Sequence, residues 1–81
     1  MISVLFFAKV REATGKTELE MEYNTNVKDI GSLYKNISDH YHELKNLKNV
    51  KCALNQELVS DWSLAIKDGD EVAFFPPITG G

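Results

Sequence analysis

Apolar and polar positions alternate at the start of the chain. In ISVLFFAKV (residues 2–10), Ile2, Val4, Phe6 and Ala8 fall on one face and Ser3, Leu5, Phe7 and Lys9 on the other. Such an alternating stretch, rich in β-branched and aromatic residues, predicts a strand. After a polar stretch with a turn glycine at Gly15, TELEMEY (residues 17–23) alternates again, with Leu19, Met21 and Tyr23 inward and Glu18, Glu20 and Glu22 toward water. The pair reads as a hairpin. The period then changes: Val27, Ile30, Leu33, Tyr34, Ile37, Tyr41 and Leu44 recur at three- and four-residue steps, which gathers them on one face of an amphipathic helix. Asn26 is placed to cap that helix and Asp29 to favour its positive end, while Gly31 weakens it locally.

Beyond a Lys/Asn-rich connection through Asn49, residues 50–54 and Leu58-Val59 read as two short strands joined by a turn at Asn55-Gln56. Asp68-Gly69 marks another turn, and residues 70–75 form a last strand that ends at Pro76-Pro77, because proline has no N–H for a ladder. Trp62 plugs the end of the core or sits at an edge. The predicted order is β-β-α-β-β-β: an α+β fold in which a small mixed sheet wraps on one helix, with the first and last strands central. One helix covers only one face of a sheet, yet both of those strands are apolar on both faces, with Leu5, Phe7, Ala73 and Phe75 on the second. An uncovered apolar face on a small protein marks an interaction surface, with Phe7, Phe75 and Leu58 as its anchors; the alternative is a cover of loops.

Length and charge narrow the functional classes. Eighty-one residues make one module, with residues 1–77 as the globule and 78–81 as an extended tail. A core of this size leaves a net stability of about 3–5 kcal/mol, which favours binding over a self-contained catalytic pocket. Nine Lys and Arg against twelve Asp and Glu give a net charge of -3, the wrong sign for a nucleic-acid footprint. No apolar run is long enough to span a bilayer and no basic leader opens the chain, so a cytoplasmic protein without membrane contact is expected. The single cysteine, Cys52, suits a reducing compartment and reads as a small core residue rather than a reactive thiol. His40 and His42 point about 200° apart on a helix, and Asp68, Asp70 and Glu71 lack the spacing of a calcium loop, so no metal site is expected.

From Val72 to Gly81 the sequence VAFFPPITGG has no ionisable side chain, so its only charge is the terminal carboxylate. Pro76-Pro77 stiffens the exit from the sheet, and the four residues beyond reach roughly 13–14 Å when extended. Gly80 and Gly81 carry no Cβ, so a partner's channel can close round the backbone and still reach the last carbonyl carbon. A carboxylate is a poor electrophile. Adenylation by ATP supplies a leaving group, after which a sulfur or nitrogen nucleophile captures the acyl carbon. Alone, a Gly-Gly end is often just a frayed terminus.

VLFFAKVRE near the start, ALNQELV in the middle and DGDEVAFFPPITGG at the end resemble the small, sulfur-carrying subunits of molybdopterin synthase, a ubiquitin-like β-grasp family. The likeness spans nearly the whole chain, and FFPPITGG is its most specific part. It implies that a ubiquitin-activating-like adenylyltransferase adenylates Gly81 using ATP, that a sulfur donor protein converts the adenylate to a thiocarboxylate, and that the tail then enters the large subunit. Two such transfers convert cyclic pyranopterin monophosphate to molybdopterin in a heterotetramer of two small and two large subunits. The resemblance further implies no permanently bound cofactor, Gly81 as the carrier with Gly80 beside it, and a partner-binding set of Phe7, Arg11, Leu58, Phe75, Pro76, Pro77, Ile78 and Thr79. Two other readings stand beside it: a related carrier, for the thiazole of thiamine or for protein modification, and an interaction domain with an inert tail.

Overall fold

The computed structural model describes residues 1–77. Among these, strands β1 (Ile2–Phe6), β2 (Glu18–Met21), β3 (Lys51–Leu54), β4 (Glu57–Val59) and β5 (Glu71–Phe75) form one mixed sheet in the order β2-β1-β5-β3-β4. β1 and β5 run parallel, with Val4 beside Val72 and Phe6 beside Phe74, and the other neighbours are antiparallel. Period-two alternation then fixes the faces. Ile2, Val4, Phe6, Cys52, Val72 and Phe74 turn inward and are fully buried. They pack with Val10 of helix α1 (Ala8–Thr14), with Ile30, Leu33 and Ile37 of helix α2 (Ile30–His40), and with Leu44 of a 3₁₀ turn (His42–Asn46). Burying each such large side chain contributes about 1.5–3 kcal/mol before conformational entropy is charged against it. The arrangement is the α+β, ubiquitin-like β-grasp, with β1 and β5 in its centre.

Several local expectations are corrected. The opening strand stops at Phe6 rather than running to residue 10. Ala8 adopts φ 52°, in the left-handed region, and the chain turns there into α1. Ala8 is therefore exposed instead of sharing the inner face of Ile2, Val4 and Phe6, and Val10 enters the core from a helix. Gly15, at φ 73°, ends α1 with its amide on the Arg11 carbonyl. Two helices and a 3₁₀ turn thus cover the inner face where one helix was predicted. Tyr23 lies beyond the end of β2 and is exposed rather than inward.

The long helix begins and ends inside its predicted span. Its cap is Asp29, not Asn26: the Asp29 carboxylate accepts from the Ser32 amide at 2.7 Å, and the Ser32 hydroxyl accepts from the Asp29 amide at 3.1 Å. Asn26 instead donates its amide to the Asn24 side chain in the preceding turn. Tyr41 breaks the α-helix, and Leu44 is carried into the core by the 3₁₀ turn. Gly31 is less a weakness than a close approach. Its amide donates to the Trp62 carbonyl at 2.8 Å, and a Cβ there would stand 3.3 Å from that oxygen. Trp62 plugs the core's end, edge-on to Tyr34 with centroids 5.1 Å apart and tilted against Phe74 at 5.7 Å.

Candidate functional site: the open sheet face and the root of the tail

The outward side chains of the sheet line up by register. Leu5 of β1 lies beside Ala73 of β5, Ala73 opposite Ala53 of β3, and Ala53 opposite Leu58 of β4. The row has two short alanines at its centre and a leucine at each end, a shallow apolar trough. Leu5, Ala53 and Ala73 are half-buried, while Leu58 is 74 % exposed. At the end where β5 leaves the sheet, Phe75 continues this face opposite Lys51, and Phe7, 47 % exposed, stands beside it. No described helix or loop covers the trough, because every buried helical side chain belongs to the core on the other side.

The three anchors expected from the sequence, Phe7, Leu58 and Phe75, therefore share one face. Arg11 lies one helical turn beyond Phe7, its amide on the Phe7 carbonyl at 3.4 Å; it is exposed and forms no ion pair among the described residues. Pro76 and Pro77 follow Phe75, half-buried at the same end. Ile78, Thr79, Gly80 and Gly81 lie outside the described residues. Ala53 was not anticipated as part of the face. Its place follows from the turn at Asn55-Gln56, which sets the register of β3 on β4 and is visible in the sequence only once β3 is paired with β5.

That turn is built for its job. Asn55 and Gln56 take φ 49° and 70°, the paired left-handed geometry that matches strand twist in a two-residue hairpin. The Asn55 side chain also ties the hairpin to the start of β5, donating to Asp70 at 3.0 Å and accepting from the Glu71 amide at 2.9 Å. Asp70 accepts as well from the Lys67 amide at 2.7 Å, so the carboxylate that resembled a calcium-loop fragment closes a turn. Among the described residues no group of His, Cys, Asp and Glu could hold a metal.

Among the described residues, the other groups with reactive side chains lie away from the trough. Cys52 is buried on the opposite face, burial pushes its thiol pKa up, and its sulfur lies 3.5 Å from the Val59 carbonyl. A thiol so placed is a poor nucleophile. The His42 ring nitrogen is bonded to the Asp39 carbonyl at 3.0 Å, and His40 is exposed.

Two hollows flank the tail's root. One, of about 340 Å³, lies between Lys51, Leu58, Val59, Trp62 and Phe75. The other, of about 530 Å³, lies on the helix side, among Lys9, Val10, Leu47, Lys48 and Pro77. Both include Val50.

Comparison with known proteins gives this geometry a context. The ThiS family profile matches residues 4–81. The Escherichia coli (strain K12) molybdopterin synthase sulfur carrier subunit is 43 % identical over 83 residues, covering 100 % of both chains. A solved Pyrococcus furiosus chain superposes with a TM-score of 0.82 at 29 % identity, over 95 % of this chain and 97 % of that one. A chain of the Helicobacter pylori 26695 protein-protein complex of subunits 1 and 2 of molybdopterin-converting factor superposes with a TM-score of 0.69 at 26 % identity, over 99 % of this chain and 97 % of that one.

Proposed function

The chain belongs to the ThiS family, and from that premise we propose that it is the sulfur-carrier subunit of molybdopterin synthase. The observation that carries this reading is a continuity: β5, whose open side holds Ala73 and Phe75, runs directly into Pro76-Pro77 and the sequence ITGG. The full-length likeness to the Escherichia coli carrier supports it, and so does the subunit pairing in the Helicobacter pylori complex.

In this account the Gly81 carboxylate attacks the α-phosphorus of ATP held by a ubiquitin-activating-like adenylyltransferase. Pyrophosphate leaves, and the acyl-adenylate has AMP as its leaving group. A sulfide equivalent from a sulfur donor protein displaces AMP and leaves a thiocarboxylate. The loaded tail enters the large subunit, gives its sulfur to cyclic pyranopterin monophosphate, and water restores the carboxylate. Two such transfers supply the two sulfurs of the dithiolene, in a heterotetramer of two small and two large subunits. The globule supplies grip: the trough and its phenylalanines hold the partner, and Gly80 keeps the backbone slender where the channel is narrowest. The chain binds no cofactor of its own and works in the cytoplasm; no described helix is long and apolar enough to cross a membrane.

The test is reconstitution. The purified chain, its activating enzyme, ATP, a sulfur source, the large subunit and cyclic pyranopterin monophosphate should together form molybdopterin. Sulfur loaded on the chain but not passed to that precursor would move it to a carrier for another acceptor.

A further inference from the structure

We propose that the surface engaging the large subunit wraps round the root of the tail onto the helix side, where Lys9 and Lys48 receive acidic groups on the rim of that partner's channel. This rests on the reading above, that the tail enters such a channel. A channel closing round a glycine backbone encloses it on every side. A partner seated only on the trough would leave the helix side of Pro77 facing water.

The helix-side groove has the makings of the missing half. It is the larger of the two hollows, about 530 Å³, with an apolar floor of Val10, Leu47, Val50 and Pro77 between Lys9 and Lys48. It shares Val50 with the cleft beneath Phe75, so the two hollows adjoin at the end where the chain passes from Phe75 into Pro76-Pro77, and together they make the collar of this proposal. Both lysines are exposed, neither has an ion pair among the described residues, and no carboxylate lines the groove. Acidic groups enter in the adjoining hollow, which shares Lys9, Asn46 and Leu47 with the groove and adds Glu12 and Glu43.

Around the groove itself the charge is basic: Lys9 and Lys48 line it and Lys51 lies opposite Phe75, while Glu57, Asp70 and Glu71 lie at the other end of the strands and Glu12 and Glu43 lie in the hollow adjoining Lys9. In a chain of net charge -3, a groove lined by two lysines and no carboxylate favours acidic groups on the partner's rim and turns the tail toward them during encounter.

The experiment is the association kinetics of the chain with the purified large subunit of molybdopterin synthase at low and high salt, comparing K9E/K48E, K9Q/K48Q and F75A. The charge reversal should slow association about tenfold or more at low salt, with the neutral pair between, and added salt should close the gap. F75A should act mainly by speeding dissociation. If F75A weakens the complex while both lysine pairs associate like the unaltered chain at every salt, the collar is overturned and the function stands. If the unaltered chain does not bind the large subunit, the function proposed above fails and the collar with it.

Discussion

The amide of Phe7 donates to the carbonyl of Phe74 at 3.1 Å. This bond extends the β1–β5 pairing one residue past the end of β1 and holds Phe7 beside Phe75 on the open face. Ala8 then turns away at φ 52°. The strained residue and the exposed aromatic are consecutive because the chain must leave the sheet without burying Phe7.

Phe7→Ala and Phe75→Ala should each weaken the complex with the large subunit by about 1–4 kcal/mol, the range of an aromatic hot spot. Isothermal titration gives the affinity and a thermal melt the fold. Phe7 is half exposed, so its variant should melt almost unchanged. Unaltered affinity in both variants would remove the aromatic pair from the docking surface.

Ala8→Gly should raise stability by up to about 1 kcal/mol, because a left-handed L-residue costs roughly 1–2 kcal/mol and the glycine's extra unfolded entropy returns only part of it. Denaturant midpoints measure this. A less stable variant would show that the Ala8 methyl makes a contact worth more than the strain.

In the core, Ile37→Val should cost about 0.5–1.5 kcal/mol by deleting one buried methylene, with partner affinity unchanged. Combined denaturation and titration would separate the two quantities. Coupled losses would mean that α2 communicates with the open face.

Much of the architecture follows from periodicity. Alternation in residues 2–6 and 71–75 and the helical spacing of Ile30, Leu33 and Ile37 are direct consequences of burial on one side. The two-faced character of β1 and β5 points to the docking surface, and Phe7, Leu58 and Phe75 are found there. What was hidden depended on single dihedrals. AKVREAT sits beside a strand and contributes only Val10 and Thr14 to the buried interior, so its helical period is too short to see. Asn26 and Asp29 are both good caps, and the choice was made by Ser32, whose hydroxyl completes the reciprocal pair only with Asp29. The collar of Lys9 and Lys48 joins residues far apart in sequence, which pattern alone does not bring together.

Acid should loosen the fold through three aspartates. The Asp29 carboxyl is held below its usual range chiefly by the Ser32 amide, Asp39 by Lys35, and Asp61 by the Ser63 hydroxyl. Groups ionised more readily when folded stabilise fully above the ordinary aspartate range. That contribution is lost as pH falls through their lower folded values. Thermal midpoints should therefore drop as pH is lowered below the ordinary aspartate range, and Asp29→Asn, which still caps but does not titrate there, should flatten part of that decline. An acid limb identical in the variant would exclude Asp29 as a contributor.

The central claim is that Gly81 is charged and emptied by other proteins, and intact-mass measurement tests it most directly. After incubation with the adenylyltransferase, ATP and a sulfur source, the chain should gain about 16 Da, one oxygen replaced by sulfur at the activated acyl carbon, and a chain lacking Gly81 should gain nothing. A mass unchanged in the intact chain, or the same gain without Gly81, would contradict the account.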